Sequence, residues 1–414
     1  MATFVPAPET RHVPRLGDRS LFPNLAARVY ANHAGISAPS IAVSEAARGV
    51  FDDYERRGFG SFVTWLEQRN RLKRKLGRLI GAPAEEIALI PNTTQGVIDI
   101  ALCFPWSRGD RVIVFEGEFP SNVTPWQRAA ETFGLEIVQL RAADYREDTP
   151  AALEKLSAEL QRGIRLVAVS AVQFQTGFRM PLAEMSALCH ARGAELFVDA
   201  VQACGATPID VAAEGIDYLS CGSHKWMMGV EGCGFLYANA ERAAALRPTV
   251  AGWLSHEDGL GFLFHGEGHL RYDRPFKKTI EMVEVGNFNT AGFAALEASL
   301  DLIQKLGVEA IWAHVNAYHD ALEPALVSRG FTSLRSADPA RRSGTLGVKP
   351  PAGVSVVELQ HELLDRGIAC AIPDGVLRFS PHWPNAIEEV GVIVGEIEAI
   401  LAEMRGGAPA PAAT

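Results

Sequence analysis

The sequence predicts an α/β fold in which helices alternate with buried strands. Short apolar runs at 195–199 and 217–221 have polar side chains at or near their ends. This pattern is typical of strands that place functional groups at the edge of a sheet. The stretch 62–80 instead has apolar residues at helical spacing. The 414 residues are enough for about two to three domain lengths and a large core.

Further segments repeat this alternation along the chain. We expect helices at about 41–57, 62–80, 291–306, 308–329, 355–366 and 385–404, and strands at about 86–90, 111–115, 164–172, 344–349, 368–372 and 376–380.

Composition excludes several classes of partner. The formal charge of −10 argues against a nucleic-acid or anionic-membrane partner. The basic run 69–75 lies on a helix with apolar spacing, so we interpret it as a solvated helix face. No run of 18 apolar residues and no secretory signal is present, which predicts a soluble, cytoplasmic protein.

Cysteines and histidines give no sign of a metal or a disulfide framework. The six cysteines form no CxxC pair and lie mostly in apolar segments, as in a reduced compartment. His265 and His269 are four residues apart, but glycines at 261, 266 and 268 make a helix there doubtful. We therefore expect no metal site.

Lys225 is the strongest catalytic candidate. It follows a strand-like run and a short polar turn, and Trp226, Met227 and Met228 come directly after it. A lysine in apolar surroundings loses hydration of its ammonium form, so its pKa falls and its amine becomes nucleophilic. A lysine whose stem is buried and whose head reaches water is the alternative.

Asp199 and Gln202 strengthen the catalytic interpretation of Lys225. Asp199 ends a strand-like run, where open α/β sheets bind ligands. The pattern Asp199-x-x-Gln202 followed by Ser223-His224-Lys225 resembles the signature of class-V, fold-type I enzymes that use pyridoxal phosphate (PLP). Cysteine desulfurases, selenocysteine lyases, isopenicillin N epimerase and kynureninase belong to that group.

The resemblance implies an architecture as well as a cofactor. It implies a large domain with a mainly parallel sheet flanked by helices, plus a smaller C-terminal α/β domain that part of the N-terminal segment completes. The expected divisions are an arm at 1–28, a PLP-binding domain at 29–290, a small domain at 291–406 and a disordered tail at 407–414.

The same resemblance implies cofactor roles. Lys225 forms the Schiff base and Asp199 keeps the pyridine nitrogen protonated. Phe119 stacks on the ring where desulfurases have histidine, and it cannot move protons. The resemblance also implies a phosphate site in which hydroxyl residues cap a helix; its residues are Thr93, Thr94, Gln95, Ser223 and His224. The phenolic oxygen of the cofactor is expected to contact Gln202, alone or with Gln173.

Arg378 is the expected substrate anchor. It matches the arginine that binds the substrate carboxylate in the family, and its planar fork suits two parallel bonds to a carboxylate. An α-amino acid is therefore the expected substrate. Asn32, His33 and Trp253 are further candidate contacts, although a plain turn explains 30–37 equally well.

Asn287 predicts a homodimer. Family members donate a Gly-Thr at this place to the cofactor phosphate of the partner chain, and Asn287 follows Gly286 here. The asparagine keeps a hydrogen-bond donor, so the resemblance implies the same role.

The reaction branch stays open at this stage. Leu363 stands where desulfurases carry their mobile cysteine, and Cys370 lies too close to Arg378 to replace it. We favour an aminotransferase, then a C–S or C–C β-lyase, then an epimerase. A PLP-binding regulator without turnover is the non-enzyme alternative, and a nicotinamide-binding enzyme is disfavoured because no GxGxxG opens a first βα unit.

Overall fold

The computed structural model describes residues 11–406. Part of the expected arm and the whole expected tail lie outside the described residues. The helices are α1 Ile41–Arg57, α2 Phe62–Ile80, α3 Thr93–Cys103, α4 Thr124–Phe133, α5 Ala142–Glu147, α6 Thr149–Leu160, α7 Leu182–His190, α8 Ala240–Ala245, α9 Gly261–Phe264, α10 Thr290–Leu306, α11 Val308–Val327, α12 Val356–Asp365 and α13 Glu389–Gly406. The strands are β1 Val29–Tyr30, β2 Ile87–Ile90, β3 Arg111–Glu116, β4 Glu136–Arg141, β5 Ile164–Ser170, β6 Glu195–Asp199, β7 Tyr218–Gly222, β8 Gly234–Ala238, β9 Thr332–Ser333, β10 Leu346–Lys349, β11 Ile368–Ala369 and β12 Leu377–Phe379.

A seven-stranded sheet forms the centre of the molecule, in the order β2-β8-β7-β6-β5-β3-β4. Strand β8 runs antiparallel to both neighbours, and the pairs from β7 to β4 are parallel. Every residue of β6, β7 and β8 is buried, because apolar clusters cover both faces of the sheet. The sheet is mostly parallel, as the sequence predicts.

The carboxyl ends of the central strands bring polar residues together. Ser170 of β5 pairs with Asp199 of β6, and Asp199 pairs with Ser220 of β7. Lys225 lies three residues beyond the end of β7. Parallel strands therefore place the acid and the amine at one edge, where such sheets bind ligands.

Elements from both chain ends form a separate apolar cluster. Strand β1 pairs in parallel with β11, and β12, β10 and β9 form an antiparallel sheet. A bridge between Asn32 and Ser380 joins the N-terminal segment to the strand that carries Arg378. The boundary near residue 290 remains a prediction.

Some predicted elements end elsewhere for identifiable reasons. The last helix begins at Glu389 rather than near 385, because the Asn385 side chain accepts from the His382 amide and closes a turn. Strand β5 ends at Ser170 rather than 172, because Val172 pairs with Arg179 across a tight turn.

Gly205 supports the segment that carries Lys225. Its φ is +106°, and an added Cβ would lie 2.2 Å from the Trp226 carbonyl oxygen. We expect Gly205→Ala to lower the free energy of unfolding by about 2–4 kcal/mol, from backbone strain plus a steric clash. Gly193→Ala is the matched control, since Gly193 has φ +71° and open space around it. Equal losses for both in urea titrations would contradict the packing argument.

Candidate active site

Lys225 projects into a mostly buried site at the carboxyl edge of the sheet. Burial lowers the pKa of its amine, and the nearby positive charge of Arg378 lowers it further, while Asp199 opposes this effect. The Lys225 Nζ lies 5.5 Å from the centroid of the Phe119 ring. The structure therefore places Lys225, Asp199, Arg378 and Phe119 in one group, in which burial makes the Lys225 amine easier to deprotonate.

Asp199 is 3% exposed, and one carboxylate oxygen accepts from the Val201 amide at 2.9 Å. Burial raises the pKa of Asp199 to about 6, against the lowering effect of that amide and of Lys225. A cation placed beside this carboxylate would therefore be held by a charge that water screens little.

Gln202 lies beside Asp199 with most of its amide already engaged. Its Nε2 donates to the Ala34 carbonyl at 3.1 Å, and its Oε1 accepts from the Trp226 indole at 2.8 Å. One N–H of Gln202 is left for a ligand oxygen. The predicted contact between Gln202 and the phenolic oxygen of the cofactor is compatible with this geometry, and it would use that remaining N–H.

The N-terminus of α3 forms an anion-binding corner with β7. The Asn92 side chain caps the Gln95 amide, which leaves the Thr93 and Thr94 amides at the first turn for an anion. The Gly222 amide donates to the Thr93 hydroxyl at 2.8 Å. An added Cβ on Gly222 would lie about equally close to that hydroxyl and to His224 Nδ1, so both groups border the same small space.

Two predicted phosphate contacts are not supported by the structure. Asn92, not a threonine hydroxyl, is the cap, and the Gln95 amide and side chain bond to Asn92 and Asp99. The Ser223 hydroxyl donates to the Val230 carbonyl at 2.6 Å and is fully buried. Ser223 therefore closes the turn after β7 and has no proton left for a phosphate in this conformation.

Arg378 is 5% exposed, and its described hydrogen bond is a 2.7 Å donation to the Phe174 carbonyl. Its Nε has no partner, and no carboxylate pairs with it among residues 11–406. Burial lowers its pKa to about 10. Phe174 also contacts Phe119 edge to face, at 5.5 Å between ring centroids, so Phe174 connects the Arg378 guanidinium to the Phe119 ring.

His33 supports the site rather than lining it. It is 2% exposed, and burial holds its pKa well below the ordinary value. The Ser37 hydroxyl donates its proton to the Lys225 carbonyl at 2.6 Å. The 2.8 Å contact between His33 Nδ1 and the Ser37 oxygen therefore requires Nδ1–H to be the donor. The predicted substrate contact is therefore replaced by a chain that positions Lys225. Asn32 folds against Gly35 with an unpartnered Oδ1.

Trp253 and Asn287 lie together on an outer loop. Trp253 contacts the Phe262 ring and is 40% exposed, and its indole nitrogen borders Gly286. Asn287 is exposed. The structure brings neither residue into contact with the Lys225 group of the same chain.

Glu118 is a site residue that the sequence did not reveal. Its carboxylate accepts from the Ser170 amide at 2.7 Å, from the Ser170 hydroxyl, and from Gln173 at 3.2 Å. Burial raises its pKa to about 7, and the charge of Asp199 adds to this. A polar loop just after strand β3 was the only signal available, because Ser170 lies 52 residues away in the chain.

These groups fit PLP on the chemistry of their donors. The free helix amides and His224 suit a phosphate, Asp199 suits a pyridinium nitrogen, and Lys225 suits an aldehyde carbon. Phe119 provides an aromatic surface for the pyridine ring. Arg378, whose guanidinium pairs with no carboxylate among residues 11–406, is left over and suits a second anion.

The family model described as Aminotransferase class-V matches residues 59–375. The chain belongs to the class-V aminotransferase family. Membership confirms the predictions of fold class, of an enzyme and of PLP as its cofactor.

Relatives with more than one activity resemble this family member. The uncharacterized aminotransferase YcbU of Bacillus subtilis (strain 168) is 26% identical over 385 residues, covering 92% of this chain and 96% of YcbU. A probable cysteine desulfurase of Methanothermobacter thermautotrophicus is 27% identical over 398 residues, covering 91% and 96%. The cystine C–S lyase C-DES, solved with cysteine persulfide, matches with a TM-score of 0.82 at 22% identity, covering 91% and 98%.

No helix within residues 11–406 is long and apolar enough to cross a membrane.

Glu118 predicts a pH dependence of stability. Its folded-state pKa is about 7 and its unfolded value is lower, so its contribution is full below the unfolded pKa and is lost as pH rises through about 7. Glu118→Gln cannot ionise. We therefore expect the stability of the variant apoprotein, relative to the parent, to rise by about 3 kcal/mol between acid and mildly alkaline pH.

The control for this measurement is Glu116→Gln, which changes an exposed carboxylate at the end of β3, two residues before Glu118. Denaturant titrations at several pH values report the differences. A Glu118→Gln difference that stays constant with pH would show that Glu118 is already ionised in the folded protein.

Proposed function

We propose that this chain is a PLP-dependent aminotransferase that acts on an α-amino acid, with Lys225 as the covalent anchor and general base. Asp199, His224 and the first amides of α3 hold the cofactor, and Arg378 binds the substrate carboxylate. This proposal is supported by the proximity of these groups, which come from distant parts of the sequence and lie around one site.

Arg378 is the observation that carries the choice of substrate. A buried guanidinium without a carboxylate partner is unfavourable unless a ligand supplies the charge. Its Nε is unpartnered and one terminal nitrogen is held by the Phe174 carbonyl. That bond orients the fork, so an incoming carboxylate meets preorganised donors.

The chemistry divides between cofactor and protein. PLP supplies an electron sink for the bond that breaks at Cα. Lys225, with its lowered pKa, would take the proton from Cα and return one, because Phe119, whose ring centroid lies 5.5 Å from Lys225 Nζ, has no group that can transfer a proton. Asp199, as the carboxylate, would hold a protonated pyridine nitrogen, and Phe119 would shield one face of the ring from water.

The cysteine positions disfavour persulfide chemistry. Leu363 is fully buried on α12, and Cys370 is 4% exposed. Burial raises the pKa of the Cys370 thiol to about 12, so its thiolate is scarce near neutral pH. A β-lyase remains the second candidate because relatives are named as cysteine desulfurases. All six cysteines are unpaired and buried, which supports the cytoplasm as the location.

The stoichiometry of keto-acid release separates the two reactions. PLP-loaded protein is incubated with single L-amino acids, with and without a keto-acid acceptor. An aminotransferase should stop after about one equivalent per site without acceptor and turn over with it. Continuous release of ammonia and keto acid without acceptor would establish a lyase and overturn the aminotransferase proposal.

Arg378→Lys tests the substrate anchor in the same assay. Lysine keeps the charge but loses the fork, so kcat/KM should fall by about 10–100-fold. The matched control is Arg329→Lys, which changes a surface arginine paired with Glu398. An unchanged kcat/KM in Arg378→Lys would contradict the proposal that Arg378 binds the substrate carboxylate.

We also propose a homodimer in which Asn287 reaches the cofactor phosphate of the partner chain. Asn287 is exposed and does not contact the Lys225 group of its own chain. Exposed apolar side chains of α1, α2, α9 and the adjoining loops offer a surface for a second copy: Phe51, Phe59, Val63, Phe262, Leu263 and Phe264.

Mixing two inactive variants tests this sharing. Asn287→Asp places a negative charge against the phosphate, and Lys225→Ala removes the anchor. If Asn287 acts across the interface, co-refolded mixtures should recover about a quarter of parental activity, since half the dimers carry one complete site. If Asn287 acts within its own chain, the mixture stays inactive.

A further inference from the structure

Three potential metal ligands meet on the outer loop that follows Trp253. Asp258, His265 and His269 each present a ligand atom, and these atoms all lie within 4.8 Å of one another. The two imidazole rings are edge to face, with centroids 5.1 Å apart. At this histidine pair we expected no metal site from the sequence, because the surrounding glycines argue against a helix. The proposed PLP reaction uses none of the three.

The loop holds these ligands in a defined arrangement. Backbone hydrogen bonds pair segment 255–257 with segment 275–277. The Arg274 guanidinium donates to Asp258 Oδ2 at 2.6 Å and to the His269 carbonyl at 3.2 Å. Arg274 therefore fixes the carboxylate and the second histidine relative to each other, as outer-shell partners of metal ligands do.

The turns around His265 allow a ligand pair without a continuous helix. Helix α9 ends at Phe264, and Gly266 and Gly268 both have φ of +86°. Glycine tolerates this left-handed conformation, so the chain folds back between the two histidines. That reversal brings His269 beside His265.

We propose that Asp258, His265 and His269 bind one divalent transition-metal ion of the zinc class. Two imidazoles and a carboxylate suit such an ion, with water completing the coordination. Ligand atoms of a tetrahedral zinc site lie about 3.4 Å apart, so modest side-chain rotations complete the set. One oxygen of Asp258 can bind the ion while Oδ2 keeps its bond to Arg274.

The bound ion would link the residue after α9, His265, to Asp258, which precedes α9. The phenylalanines of α9 contact neighbouring aromatic rings, with Phe264 against Phe59 and Phe262 against Trp253. Fixing His265 would therefore restrain α9 and, through the Phe262 ring, limit the movement of Trp253. The site is a clamp on the surface of the loop and does not depend on the proposed PLP reaction.

Metal titration of the full, untagged protein tests the site. Zn²⁺ binding is measured by calorimetry, and Co²⁺ is followed through its visible ligand-field bands, which report coordination geometry. We expect one saturable equivalent per chain, with Co²⁺ displaced by Zn²⁺. A trypsin digest should show slower cleavage at Arg271 when Zn²⁺ is bound.

Substitutions decide whether these residues are the ligands. His265→Ala and His269→Ala should each weaken Zn²⁺ binding by at least about 100-fold, more than the loss of an outer-shell partner. His361→Ala, an exposed histidine on α12, should leave binding unchanged, and thermal melting checks that each variant is folded. Absence of saturable binding, or binding that both ligand variants keep, would overturn the proposal.

Discussion

The electrostatic interaction between Lys225 and Asp199 at the edge of the sheet is the constraint on which the rest of the site depends. Burial destabilises each charged form, lowering the pKa of the amine and raising that of the carboxyl. Each group supports the charge of the other. Asp199 would hold the protonated ring nitrogen of a bound PLP, and the Lys225 amine would then have less support for its ammonium form.

The backbone around Lys225 is held from several sides, which fixes where its amine can reach. Ser37 donates to its carbonyl, and His33 orients Ser37. The Trp226 carbonyl accepts from His382, which follows the strand of Arg378. Elements from both chain ends therefore meet behind the lysine. A change in their packing would move the amine relative to the substrate anchor.

The sequence indicates those candidate site residues that lie at or near the ends of predicted strands. Asp199 ends a strand-like run and Lys225 follows one, which places both at a sheet edge, whereas the role expected of Arg378 came from the resemblance to the family. Ser223 and His33 could not be assigned this way, because hydroxyl and imidazole roles depend on partners that only folding brings near. Glu118 was missed for the same reason, since Ser170 becomes its partner through the pairing of β3 with β5.

The histidine pair shows a related limit of sequence patterns. The spacing of His265 and His269 suggests ligands only on a helix, whereas the structure brings them together through a reversal of the chain at two glycines. Reaction type is a further limit, because Phe119, Leu363 and Cys370 narrow the chemistry but the first steps are common to the family.

The absorption spectrum of the purified protein with PLP, beside that of Lys225→Ala, tests the central claim most directly. A visible band in the parent protein that is absent or altered in the variant, and that shifts when an α-amino acid is added, is the predicted result. A parent protein that develops no band with PLP, or a variant with an identical band and response, would contradict the role assigned to Lys225.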